Sequence, residues 1–154
     1  MELQDEITIP APRGEVYRAL NDVAVLKACI PGCDELEREG ENDLVAKVTL
    51  KIGPVKARFS GRVTLDPSKA PDAFSVSGEG DGGVAGFAKG GADVELIEDG
   101  DQTILRYTAK AETGGKLAQL GARLITSTAK KLSKMFFATF EKVMSGEVEV
   151  EPAS

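Results

Sequence analysis

The sequence contains no histidine and no tryptophan, and aromatic residues make up only 5 % of its 154 positions. Without an imidazole, Ser-His-Asp and Cys-His nucleophile schemes are ruled out, together with most general acid–base designs that work near neutral pH. Cysteine is nearly absent too. Cys29 and Cys33 are the only two, they lie too close together to staple a fold, and two soft ligands without a nitrogen partner do not make a structural zinc site. They read as small, half-buried thiols on either side of a turn, with no metal expected.

Positive charge is also in short supply. Nineteen Lys and Arg face 25 Asp and Glu, for a formal charge of −6, which argues against nucleic acid as a partner because neutralising phosphates needs a basic face. A membrane surface is disfavoured for the domain as a whole. No apolar run approaches the ~20 residues needed to cross a bilayer, and the start of the chain lacks the basic and apolar regions of a secretory signal. A cytoplasmic protein without a transmembrane segment is the expectation.

What is present fits one α+β domain. Hydrophobic residues at 42 % and charged residues at 29 % are ordinary globular usage, and the length suits a single core. The expected organisation is one domain over 1–146 and a short acidic tail over 147–154. Leu3 to Pro10 reads as a strand. Pro12 and the spacing of Val16, Ala19, Leu20 and Val23 predict a helix pair broken near Asn21-Asp22. Leu44 to Ile52 and Val55 to Leu65 alternate apolar with polar residues, and a Gly53-Pro54 turn would set Ile52 against Val55, Leu50 against Ala57 and Val48 against Phe59 on one face. Phe74, Val76 and Gly78 predict a further strand. Asp99-Gly100 is a hairpin signal that would pair Val94 with Leu105, Ala92 with Tyr107 and Asp93 with Arg106. From Lys116 to about Ser145 the apolar spacing turns helical and predicts one uninterrupted amphipathic helix of roughly 45 Å.

The polar clusters have plain readings. Gly78 to Gly91 holds many of the 17 glycines, but the flanking strands predict a hairpin or bulge there and not a dinucleotide-binding loop, which needs a parallel βαβ unit. The acidic run Asp34, Glu35, Glu37, Glu39, Glu41 and Asp43 lacks calcium-loop spacing and reads as a solvated sheet edge. Lys130, Lys131, Lys134 and Lys142 form a basic stripe on the last helix, either a solvated face or a docking patch for a partner or anionic lipid. The inner sheet face carries small residues at Ala46, Ala57, Gly61, Gly78, Gly90, Ala92 and Ala109. Together with a mid-helix Gly121 between Leu117 and Leu124, they predict space for an apolar molecule between sheet and helix.

Several segments, in order, carry a family resemblance. Ile30-Pro31-Gly32-Cys33, Ile52-Gly53-Pro54-Val55-Lys56 with Phe59-Ser60-Gly61, the Gly83-to-Gly91 stretch, and Thr113 through Gly121 with Phe136-Phe137 downstream resemble the CoxG family of carbon monoxide dehydrogenase. That family lies in the START-like (SRPBCC, birch-pollen-allergen-like) superfamily, and the likeness extends from Leu3 to Met144. It implies a helix-grip fold, a curved antiparallel sheet wrapped around a long C-terminal helix. It also implies a non-catalytic accessory protein that holds an apolar, quinone- or lipid-like ligand. Such a protein would serve a molybdenum-containing carbon monoxide dehydrogenase or related hydroxylase through maturation, recruitment to the inner face of the membrane or electron transfer to quinone. Some relatives carry a C-terminal membrane-attachment extension, which is not expected in a sequence stopping at Ser154.

The expected ligand-lining residues are Phe59, Val76, Phe87, Tyr107, Leu117, Leu120, Gly121 and Leu124, with the Tyr107 hydroxyl orienting the ligand and Gly121 setting the size of the space. Strict alternation from Ala92 turns Phe87 outward, so a bulge at Gly90-Gly91 is expected if it is to face inward. Two rival readings stand beside this one. One is an enzyme of the superfamily's cyclase or hydrolase kind, acting through Tyr107 or a buried carboxylate. The other is a pure docking module acting through Lys130, Lys131, Lys134 and Lys142.

Overall fold

In the computed structural model, which describes residues 1–150, alternation along the chain becomes a seven-stranded antiparallel sheet. Strands β1 (Glu2–Ile9), β2 (Cys33–Arg38), β3 (Asp43–Ile52), β4 (Val55–Asp66), β5 (Ala73–Asp81), β6 (Phe87–Asp99) and β7 (Gln102–Gly114) lie in the order β1-β7-β6-β5-β4-β3-β2. Helices α1 (Arg13–Leu20) and α2 (Val23–Cys29) follow β1, and α3 (Lys116–Gln119) and α4 (Ala122–Met144) follow β7. Residues 151–154, the end of the expected acidic tail, lie outside the described residues.

The β3–β4 hairpin has the expected register: Ile52 pairs with Val55, Leu50 with Ala57 and Val48 with Phe59. Its two-residue turn keeps both apolar sets on the inner face. Asp22 caps α2, accepting from Ala24 N at 2.9 Å and Val25 N at 3.4 Å, which satisfies amide groups that the helix start leaves open. The acidic stretch after Cys33 is the edge strand β2. There Glu35 meets Lys47 at 3.4 Å and Glu39 meets Arg62 at 2.9 Å, all largely exposed.

Three expectations are corrected. The β6–β7 turn is centred on Gly100-Asp101, so Asp99 pairs with Gln102, Val94 with Tyr107, Ala92 with Ala109 and Asp93 with Thr108. Gly100 has φ +62° while no other residue type among the described residues, Asp101 included, has positive φ, which excludes the type I′ turn and fits glycine at the first central position of a type II′ turn. The slip is two residues, so Tyr107 keeps its inward direction. Second, the last helix is not continuous. It breaks at Leu120-Gly121, where Gly121 sits at φ +92° in a region that costs other residues steric energy. The 23 residues of α4 give about 35 Å. Third, β6 pairs with β7 without a bulge from Phe87 to Asp99, and Phe87 therefore points outward, 47 % exposed.

The packed core sits at one end of the molecule. Ile9, Val16, Phe74, Leu96, Leu105 and Phe140 belong to a single buried cluster, and Phe140 is fully enclosed. Phe136 continues from Phe140 as a stacked ring at 6.2 Å, and Phe137 stacks on Tyr107 at 5.5 Å. α4 runs away from this end and comes closest to α2, β1 and β3. Its aromatic side chains also reach the middle of the sheet, where Phe137 stacks on Tyr107 of β7 and Phe140 joins the cluster of Phe74, Leu96 and Leu105. Glycine on the inner surface suits the curvature of the sheet: a Cβ on Gly90 would strike the Lys110 carbonyl.

Candidate functional site

At the end opposite the packed core, three connections converge: the Gly53-Pro54 turn, the single 3₁₀ turn Gly83–Ala85 between β5 and β6, and α3. The antiparallel order puts them there together, because β3, β5 and β7 all finish at that end. Six of the eight positive-φ glycines, Gly32, Gly53, Gly83, Gly86, Gly115 and Gly121, belong to segments at this end.

The inner face behind these turns is apolar and not fully covered. Leu50, Ile52, Val55 and Ala57 of the β3–β4 hairpin are half-buried, as are Leu120 and Leu124. Leu124 reaches the hairpin turn, since a Cβ on Gly53 would lie 2.7 Å from its side chain. Phe59 is buried with its ring against the Gly82 backbone. Leu117 and Ala85 are buried at 1 % and 4 % exposure.

The expected lining residues thus fall into two groups. Phe59, Leu117, Leu120 and Leu124 gather at the glycine-built end. Val76 and Tyr107 stand with the packed core, Val76 half-buried on its flank and Tyr107 within it. The Tyr107 hydroxyl has no hydrogen-bond partner among the described residues. No buried side-chain oxygen or nitrogen is left unpaired there. Two residues depart from expectation. Phe87 covers Gly114 on the outer face, where a Cβ at Gly114 would run into its ring. Gly121 is exposed with nothing within 4 Å of a Cβ built on it, so it cannot set the size of an internal space. Leu50, Ile52, Val55 and Ala85 also stand at this end and escape sequence reasoning as site candidates, although the alternation that places the first three on the inner face is the signal for them.

The outer face of the sheet carries two open grooves of about 770 and 730 Å³. Charged side chains such as Arg62, Glu79, Lys89 and Glu112 line them, with Lys89 and Glu112 paired at 3.6 Å. They are wet, ion-paired surface, and the apolar inner side is the better place for an apolar molecule.

Cys29 and Cys33 are free thiols. Burial pushes Cys29 up to about 11, and burial is also the largest influence raising Cys33. Both remain protonated near neutral pH and are poor nucleophiles. No group of three or more Cys, Asp or Glu side chains able to hold a metal occurs among the described residues. Lys130, Lys131, Lys134 and Lys142 are exposed on α4, and none forms an ion pair among the described residues. No helix among those residues is long and apolar enough to cross a membrane.

A curved antiparallel sheet holding a C-terminal helix against an apolar inner face defines a START-like helix-grip protein. Solved structures agree: a START superfamily protein from Mycobacterium smegmatis is similar at TM-score 0.75 and 12 % identity, covering 96 % of this chain and 99 % of its own. The Zhui aromatase/cyclase from Streptomyces sp. R1128 is similar at TM-score 0.71 and 14 % identity, with 97 % and 96 % covered. A conserved protein from Geobacillus kaustophilus reaches TM-score 0.88 and 29 % identity, with 98 % and 99 % covered. Among curated proteins none matches. The chain belongs to the carbon monoxide dehydrogenase CoxG family, whose profile it matches over residues 6–145.

Proposed function

We propose that this protein is a non-catalytic accessory protein that carries an apolar, quinone- or lipid-like molecule between sheet and helix and delivers it beside a molybdenum-containing carbon monoxide dehydrogenase or related hydroxylase. One observation carries the reading. Leu50, Ile52, Val55, Ala57, Leu120 and Leu124 remain half-buried at the end away from the packed core, so apolar surface is held open where a dense core would have closed it. Tyr107, whose hydroxyl has no hydrogen-bond partner among the described residues, would supply a polar contact to such a molecule.

The partner would meet α4. That helix carries Arg123, Lys130, Lys131, Lys134 and Lys142 against a single carboxylate, Glu141, in a chain of formal charge −6. A cationic face on an acidic body steers toward an acidic surface and orients the approach. Such a protein acts in the cytoplasm or at the inner face of the membrane and needs no metal or covalent cofactor of its own. The fold shared with the aromatase/cyclase gives no ground for cyclisation here, because the chain has no histidine and its thiols stay protonated.

Native mass spectrometry and solvent extraction of protein purified from its own source test the reading. A co-purifying isoprenoid quinone or lipid is expected at up to one molecule per chain. An empty protein that also fails to bind an apolar fluorescent probe would remove the carrier role and leave a docking protein.

A further inference from the structure

We propose that α3 is a lid, and that the seam between it and the Gly82–Gly86 turn is the route by which an apolar molecule enters and leaves; this rests on the carrier reading above. α3 is a single helical turn bounded by glycines in the left-handed region, Gly115 at φ +69° and Gly121 at φ +92°. Backbone rotation at two such positions can swing the segment between them without disturbing β7 or α4. The second hinge is unobstructed, since Gly121 is exposed and has nothing within 4 Å of a Cβ position.

What holds the lid shut is chiefly the buried Leu117, with the half-buried Leu120 beside it. Leu117 is buried at 1 % exposure, while Lys116, Ala118 and Gln119 are exposed. The hydrogen bonds of the segment are local: Leu120 N donates to the Leu117 carbonyl at 3.1 Å, and Gly121 N donates to the Ala118 carbonyl at 3.3 Å. Among the described residues, no hydrogen bond or ion pair ties α3 to the turn opposite. That turn offers Ala85, buried at 4 % exposure. The two backbones abut at the seam, where a Cβ on Gly115 would lie 2.8 Å from the Gly86 Cα. Backbone lies against backbone there, without interlocking side chains. Segments so held open locally at far lower cost than the global fold. Behind the seam lie Phe59 and the half-buried Leu124, so a swing of α3 uncovers the apolar inner face.

Two measurements on the full chain test the lid. In stopped-flow binding of N-phenyl-1-naphthylamine, Leu117→Ala should raise the association rate constant about tenfold or more, because a buried leucine no longer holds the closed state. A residue that merely touches the ligand would change dissociation and leave association alone, and that result would overturn the lid while keeping the carrier. Hydrogen exchange of the parent protein needs no variant. The amides of Leu120 and Gly121 should exchange at least about a hundredfold faster than those of Phe136 to Phe140 if they open locally. Equal protection at the two places would also overturn the lid. A parent that binds no probe at all would remove the carrier reading and the lid with it.

Discussion

The two ends of this molecule are built on opposite plans. Around Phe140, Leu96 and Leu105, large side chains from α4, β6 and β7 interlock and exclude water. Around Gly53, Gly86, Gly115 and Gly121, backbone segments approach one another closely and leave Leu50, Ile52 and Leu124 partly open. The packed end holds the fold, and under the lid proposal the glycine-built end changes shape without threatening it. A protein that must take up and release a bulky apolar molecule needs both properties, separated in space.

The sharpest way to break this contrast is to truncate one residue at each end. Phe140→Ala should cost about 3–5 kcal/mol, since a fully enclosed ring leaves a cavity. Leu124→Ala should cost only about 1 kcal/mol, because much of its side chain is already accessible. Urea denaturation of the two variants decides the matter, and similar losses would mean that the ends are equally packed.

A pH series sharpens the packed end further. Cys29 belongs to its buried cluster, and its thiol ionises near 11 in the folded state against an ordinary 9.0. Between those values the unfolded chain gives up this proton more readily than the folded one, so stability falls as pH rises from about 9 to 11. Two pKa units correspond to about 2.7 kcal/mol. Thermal melts of the parent and Cys29→Ala across that range should differ in slope, with the variant falling less steeply.

At the opposite end, Gly121→Ala should destabilise by about 1–2 kcal/mol through backbone strain alone, because its side chain would meet open space. Equal or greater stability would show that the hinge conformation there is not left-handed. The smallest effect is expected from replacing Lys130, Lys131, Lys134 and Lys142 together by Gln. This touches neither end, and the melting curve should move by no more than about 0.5 kcal/mol per site, whereas the salt-sensitive binding proposed above for a hydroxylase partner should be lost in gel filtration.

The β3–β4 hairpin at the open end can be read in the sequence down to its register, and the packed end less completely. Alternation in β3 and β4, joined by a turn with no spare residue, leaves one register, so Ile52, Leu50 and Val48 find their expected partners. Alternation is blind to a slip of two, and for that reason Tyr107 keeps its face but pairs with Val94. Leu117, Leu120 and Leu124 share helical spacing across the break at Gly121, since periodicity records which residues face inward and not whether the backbone between them is continuous. The ring of Phe87 argues for the inside, but its parity with Ala92 points outward, and parity wins. For the site, the apolar inner face is visible as a pattern. The division of its residues between two ends is not, because it depends on which strands finish together.

The charged edge described for β2 has a counterpart across the sheet. The sheet does not close into a barrel, so β1 and β2 each end it with unpaired backbone groups that a neighbouring strand could adopt. Glu2, Asp5 and Glu6 are exposed along β1, and Asp34, Glu35 and Glu37 carry the same sign along β2. When two copies meet edge to edge, carboxylates confront carboxylates whichever margins are presented. Mutual repulsion thus guards an open sheet against templating ordered aggregates, and the acidity of the chain becomes a device that keeps copies apart in a crowded cell.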